Sequence, residues 1–177
     1  LAETVSENFC DAFVAPMFFL LLGGPELMWF YKTISTMDSM WGYKTDRFRD
    51  LGWAGARLDD LLAWVPARMS ALLLVATGFF LGLDWKNALA NVARDARRMA
   101  SPNAGWPMAA AAWLCKAGMG GPAVYFGERV EKPQLGPMDA SWGALQLKML
   151  LRLVLVSGFG VVLMPVALLF CHVLLFS

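Results

Sequence analysis

Leu153 to Ser177, LVLVSGFGVVLMPVALLFCHVLLFS, runs for twenty-five residues without an aspartate, glutamate, lysine or arginine. A helix needs about 20 apolar residues to cross the hydrocarbon core of a bilayer, so this tail is long enough to span. Pro165, Gly158 and Gly160 do not count against that, because membrane helices tolerate both residue types. Lys148 and Arg152 stand just before the tail, where long cationic side chains anchor a span at the headgroups. Only 16% of the chain is charged and its mean hydropathy is +0.52, which points the same way. The expectation is an all-α integral membrane protein, a multi-pass helical bundle.

Against this background Tyr31–Arg68 is a polar island. It holds five carboxylates (Asp38, Asp46, Asp50, Asp59, Asp60) and six cations (Lys32, Lys44, Arg47, Arg49, Arg57, Arg68). The balance of signs argues against a polybasic lipid-binding patch, which needs an excess of lysine and arginine. Gly42, Gly52 and Gly55 allow close backbone approach. The stretch reads as a motif-rich polar loop and as the place to look for chemistry. Arg57, Asp60, Trp64 and Arg68 fall near one helical face, and Pro66 predicts a kink that frees the Leu62 carbonyl. Fifteen uncharged residues, Met69–Leu83, follow Arg68. An arginine at the mouth of such a segment either snorkels or holds a phosphate.

Upstream, Glu3, Glu7 and Asp11 are spaced to line one helical face. The row reads either as a solvated first turn or as carboxylates awaiting lysine, arginine or magnesium. Ala12–Leu22 is apolar but too short to span by itself, and Gly23–Gly24–Pro25 interrupts it. A broken span, a re-entrant hairpin and a buried core helix are all compatible with that pattern. Asp84–Met99 reads as polar helix, SPNAGWPM at 101–108 as a turn leading into an alanine-rich helix, and Tyr125–Ser141 as a polar connection. The chain opens on Leu1 within a polar helix, so a further N-terminal part of the natural protein is expected.

Several function classes are disfavoured. A net charge of +1 gives no electrostatic footprint for nucleic acid. Cys10, Cys115 and Cys171 have neither metal-ligand spacing nor a disulfide plan, and the single histidine, His172, lies in the apolar tail. No Walker-type loop, dinucleotide fingerprint or zinc motif is present.

The ordered set ETVSEN–D–VAP, YK–TMDSM–GYK, ARLDDLLAWVPAR, SPNAGWP and GGP resembles the adenosylcobinamide-phosphate synthase family (CobD/CbiB) of cobalamin biosynthesis. The likeness covers roughly residues 1–127; the C-terminal span is generic. It implies a membrane-bound ligase of the late corrinoid pathway, multi-pass in a bacterial inner membrane. Such an enzyme joins a propionate carboxyl of adenosylcobyric acid to (R)-1-amino-2-propanol phosphate or ethanolamine phosphate. ATP and Mg²⁺ are implied by the same likeness, as is company with other late-pathway membrane enzymes. The implied division is a synthase-like membrane domain at 1–152, lacking its N-terminal part, followed by a transmembrane helix at 153–177.

Carried onto matching positions, the chemistry assigns Asp38, Asp59 and Asp60 to metal or amine contacts, with Glu7 and Asp11 as further metal candidates. Lys32, Lys44, Arg57 and Arg68 would hold phosphate, while Thr36, Ser39 and Asn103 would exchange hydrogen bonds with substrate. The chain departs from the family pattern at Ser35 and Ala63, where asparagine is usual, and at Met108, where glutamate is usual. A cytoplasmic site for ATP and corrinoid requires 31–60 and 101–107 on one side, so the segment 61–83 is predicted to be re-entrant. A non-catalytic membrane sensor and a transporter are the alternative readings.

Overall fold

A computed structural model describes residues 1–41, 49–125, 128–138 and 140–176, except for the side chains of 49–51, 123–125, 128–131 and 164–176. Among the described residues seven α-helices and one hairpin follow in chain order: α1 (Ala2–Asn8), α2 (Ala15–Trp41), α3 (Arg49–Leu62), α4 (Trp64–Phe80), α5 (Trp85–Ala96), α6 (Gly105–Cys115), β1 (Met119–Tyr125), β2 (Glu128–Leu135) and α7 (Ala144–Phe176). A π-helical turn, Phe9–Val14, joins α1 to α2.

The Gly23–Gly24–Pro25 interruption turns α2 back on itself. Gly24 has φ 76° and ψ −171°, a combination that essentially only glycine adopts. Pro25 then restarts the helix with its φ already set and no amide to satisfy. The reversal is visible in one ring stack. Phe19 and Tyr31 lie twelve residues apart, which in a straight helix would separate them by about 18 Å. Their ring centroids are 4.9 Å apart, at an interplanar angle of 20°. Of the three arrangements the sequence allows, the structure adopts the hairpin.

Apart from the turn at Ala63, the described residues of the polar island are helical rather than a loop. Tyr31–Trp41 completes α2, and Arg49–Leu62 forms α3. Lys44, with the rest of 42–48, lies outside the described residues. The predicted kink at Pro66 falls instead at Ala63, where α3 and α4 meet at 45°. Pro66 occupies the third position of α4, where a missing amide costs no helical hydrogen bond.

At the centre is α6. Ala109 to Ala112 are all fully buried, and alanine lets neighbouring backbones come close. Ala109, Ala110 and Leu114 pack with α4 and α5 residues, whereas Met108, Ala111 and Cys115 pack with Met119, Leu135 and Leu150. Met108 is therefore a core residue. Against Leu114 there is room only for glycine at position 78, since a Cβ there would stand 2.4 Å from Leu114 Cδ2.

The connection after α6 is a β-hairpin, an addition to the all-helical expectation. β1 and β2 pair antiparallel with Met119 opposite Leu135, Gly121 opposite Lys132, and a bulge between. Proline is accommodated in strands at such irregularities, which is how Pro133 fits. Glu3 Oε1 accepts the Gly120 amide at 2.8 Å, so the first carboxylate of the upstream row pins the hairpin to α1.

By length and composition two helices can cross a membrane, Ala2–Trp41 and Ala144–Leu163, with the bent pair Gly52–Leu62 and Trp64–Phe80 a third candidate as a broken span or re-entrant loop. The fold-back at Gly23–Gly24 means that the first of these is a hairpin rather than one straight rod. The last helix starts at Ala144 and runs unbroken through Leu153. Ser157 Oγ donates to Thr77 Oγ1 at 2.9 Å, tying α7 to α4.

Candidate functional site

Two features bring the acidic residues together. The α2 hairpin folds its second limb, with Lys32 and Asp38, over the π turn that carries Asp11. At Gly55 α3 closes onto α2, where a Cβ would stand in ordinary contact, 3.6 Å from the Asp38 amide nitrogen. Asp59 is one helical turn beyond Gly55 and faces the same junction. Asp11, Asp38 and Asp60 are the charged groups that act on Asp59, and Lys32 is the cation that acts on Asp11. The π turn belongs to this geometry, since its extra residue re-aims the side chains around it, a device common at functional sites.

Two polar atoms at the junction are buried without a hydrogen-bond partner among the described residues: Asp59 Oδ1 and Tyr31 Oη. Tyr31 is 0% exposed. The Ser35 hydroxyl stands close to both. A buried carboxylate oxygen with no donor, surrounded by further carboxylates and a single lysine, costs several kcal/mol unless a cation or donor arrives. The junction is thus suited to an ammonium group or a divalent cation.

Asn103 joins this acidic end to a cationic one. The break at Ala63 leaves the Asp60 carbonyl without its helical partner, and Asn103 Nδ2 donates to it at 2.8 Å. Asn103 is 6% exposed, in the SPNAGWP turn, and its Oδ1 accepts Arg68 Nη1 at 3.4 Å. Arg68 Nη1 also donates to the Trp64 carbonyl at 2.6 Å. The guanidinium carbon lies 4.0 Å from the Trp64 ring centroid and 4.6 Å from that of Trp106. Cation–π contact with two indoles holds Arg68 without a carboxylate.

The other expected residues are more scattered. Arg57 acts on Asp60, and its guanidinium carbon lies over the Trp53 ring, 6.0 Å from the centroid. Thr36 and Ser39 give their hydroxyl protons to their own helix, at the Lys32 carbonyl (2.8 Å) and the Ser35 carbonyl (2.9 Å), leaving only lone pairs for a ligand. Thr36 lines a shallow groove with Trp29, Lys32 and Met40 on the exposed side of α2. Glu7 has Glu3, Asp11 and, across from it, Lys132 of β2 as charged neighbours. Among the described residues no group of three or more His, Cys, Asp or Glu is arranged to hold a metal ion. Magnesium does not require one, because it takes one or two carboxylates with substrate phosphates and water.

Sequence reasoning missed three contributors. Tyr31 begins the polar island without being singled out there, yet its hydroxyl is buried among Asp11, Asp59, Cys10 and Ser35. Arg97, at the C-cap of α5, carries the charge that acts on Arg68. Asp95, 2% exposed, accepts from Trp113 Nε1 (2.8 Å), the Gly136 amide (3.0 Å) and Arg94 Nε (3.0 Å), and so ties α5, α6 and the end of the hairpin together. Burial pushes its carboxyl up, but the Gly136 amide, the Trp113 indole and Arg94 outweigh this and hold it below the ordinary aspartate value. The signal for Asp95 was its place among Arg94, Arg97 and Arg98; its partners come from distant segments.

The family described as CobD/Cbib protein matches residues 1–154. A cobalamin biosynthesis protein CobD of Photorhabdus laumondii is 46% identical over 174 residues, covering 89% of this chain and 54% of the relative. A cobalamin biosynthesis protein CbiB of Salmonella paratyphi A is 42% identical over 159 residues, covering 89% and 50%. A CobD of Yersinia enterocolitica is 43% identical over 136 residues, covering 77% and 43%. No solved structure matches significantly. The chain spans about half the length of the curated relatives it matches. With its acidic junction, its stacked arginine and the asparagine between them placed on the matched residues, the chain belongs to the CobD/CbiB family of cobalamin biosynthesis proteins.

Proposed function

We propose that this chain carries the site of a membrane-bound, ATP-dependent amide ligase that joins adenosylcobyric acid to an amino-alcohol phosphate, giving adenosylcobinamide phosphate. The observation that carries this reading is the buried Asp59 Oδ1 and Tyr31 hydroxyl, both without a hydrogen-bond partner among the described residues, with Asn103 bridging the neighbouring Asp60 carbonyl to Arg68. A substrate with an ammonium at one end and a phosphate at the other matches that polarity.

A carboxylate does not condense with an amine in water until one of its oxygens becomes a leaving group. In the proposed sequence the propionate oxygen takes the terminal phosphoryl group of ATP and ADP leaves. One proton of the bound ammonium passes to a carboxylate, the amine so freed attacks the acyl carbon, orthophosphate departs, and the second proton lost by the nitrogen leaves with the orthophosphate. Asp59 and Tyr31 receive the amino group and orient it, while Asp38 and Asp60 supply the surrounding negative field. Lys32, Arg57 and Arg68 neutralise phosphoryl oxygens. Magnesium would be held by Asp11, with Glu7 one turn before it, and would supply charge neutralisation at phosphate oxygens. The placement is a multi-pass protein of a bacterial inner membrane, with corrinoid, amino-alcohol phosphate and ATP reaching the site from the cytoplasm.

The test is complementation of a bacterium lacking its own synthase, fed cobyric acid and scored for cobalamin-dependent growth. The full-length gene, Asp59→Asn and Arg68→Ala are compared at matched membrane levels. Growth restored by the parent alone supports the reading. A well-inserted parent that restores nothing refutes it.

A further inference from the structure

Arg68 and Arg97 are two like charges brought together at the joint between α4, α5 and α6. The approach is dictated by backbone. Gly105 sits so close to the end of α5 that a Cβ there would stand 2.6 Å from the Ala96 carbonyl oxygen. Arg97 follows Ala96 directly, and Trp106, one face of the Arg68 stack, follows Gly105. Asp95 locks the same end of α5 through Trp113 and Gly136. Arg94 pairs with Asp95 and Lys116 with Asp84, whereas among the described residues neither Arg68 nor Arg97 has a carboxylate partner. Two arginines brought to the same joint without an acid repel each other, and an anion bound by both removes that repulsion.

We propose that Arg68 and Arg97 together form the end of the site that grips a phosphate monoester, with Arg97 the residue that selects phosphate over an uncharged group. This rests on the ligase reading above and assigns the phosphate of the amino-alcohol substrate to this pair. Arg68 is fixed by two indoles, the Trp64 carbonyl and Asn103, so it presents a preorganised fork. Arg97 is exposed and brings the second charge. Because Asn103 bonds both the Asp60 carbonyl and Arg68, the spacing between the ammonium end and the phosphate end is set by one side chain. Arg97 is a binding residue in this scheme and plays no part in the proton transfer.

The experiment uses the purified full-length protein in detergent micelles, read by tryptophan emission, because Trp64 and Trp106 flank the site. The probes are ethanolamine phosphate, inorganic phosphate and ethanolamine. Ethanolamine phosphate and inorganic phosphate are expected to change the emission, and Arg97→Gln to weaken both about tenfold, the loss of one charge-assisted contact. Ethanolamine affinity is expected to be unchanged in that variant, and Arg97→Lys to recover part of the phosphate binding. Trp106→Phe reports whether the signal arises at Arg68. Unchanged phosphate affinity in Arg97→Gln, or an equal loss for ethanolamine, overturns the proposal. Arg97-dependent phosphate binding by a parent protein that fails complementation leaves this anion site standing and removes the ligase reading instead.

Discussion

Replacing Asp95 tests the framework that holds the cationic end in place. Its carboxylate is 2% exposed and accepts three hydrogen bonds, two of them from the buried-side donors Trp113 Nε1 and the Gly136 amide. Asp95→Ala leaves both donors unpaired, at about 1–3 kcal/mol each. The third partner, Arg94, is 64% exposed, so its ion pair adds at most a few tenths of that range. The expected loss is therefore about 3 kcal/mol, which for a chain of this size lowers the melting midpoint by about 6–12 °C. Asp95→Asn keeps an acceptor oxygen but loses the charge, and falls between parent and alanine. Differential scanning fluorimetry in detergent reads all three. The pH dependence is a second check with a fixed sign. The folded carboxyl is held below its ordinary value, so its contribution is complete above the unfolded pKa of about 3.9 and lost as pH falls through the folded one. Parent and Asp95→Asn should thus converge in stability on acidification below about pH 4. A midpoint for Asp95→Ala within about 2 °C of the parent would refute the claim that this carboxylate joins three elements.

Gly78→Ala places a methyl against Leu114 and should destabilise by about 1–3 kcal/mol. Pairing it with Leu114→Ala in a double-mutant cycle should recover part of that loss, and strict additivity would argue against the contact. Gly24→Ala must leave φ 76°, ψ −171°, so about 1–3 kcal/mol is expected, read as faster proteolysis of the α2 hairpin in membranes. Arg68→Lys keeps the charge but loses the stack between Trp64 and Trp106. It should bind phosphate probes about tenfold more weakly while inserting and melting like the parent.

The residue pattern carried the membrane class and the acidic and basic residue types, because apolar run length and charge density are local properties. Partner choice was not local. Gly23–Gly24–Pro25 announced a break, but a hairpin and a broken span share that signature until Phe19 is known to stack on Tyr31. The polar island looked like a loop because glycine and charge are dense there. It folds as helix because Gly52, Gly55 and Asp59 share one face that closes on α2, a tertiary gain that overrides weak local propensity. The β-hairpin was hidden for a related reason. Its glycines and Pro133 read as helix breakers, which they are, and only the bulge opposite Gly120 makes room for them in a sheet. Thr36 and Ser39 were chosen for their hydroxyls, yet a hydroxyl on a helix finds its own carbonyl four residues back before any ligand.

Asn103 shows why the positions that matter most in this fold are joints. A straight helix through Ala63 would have bonded the Asp60 carbonyl internally and left nothing for the SPNAGWP turn to hold. The 45° bend exposes that carbonyl, Asn103 takes it with one end of its amide, and the other end reaches Arg68. The family resemblance places asparagine where this chain has Ala63, which is 2% exposed at the bend. An alanine there can be accommodated because the carbonyl freed by the break is already satisfied from Asn103. By the same logic Ser35, close to Tyr31 and Asp59, retains one hydroxyl where the resemblance implies an amide, and Asp59 Oδ1 keeps no donor among the described residues. Of the three departures from the family pattern, Ser35 lies beside the acidic junction, Ala63 at the bend and Met108 in the core, none of them on the groups proposed to grip the ligand.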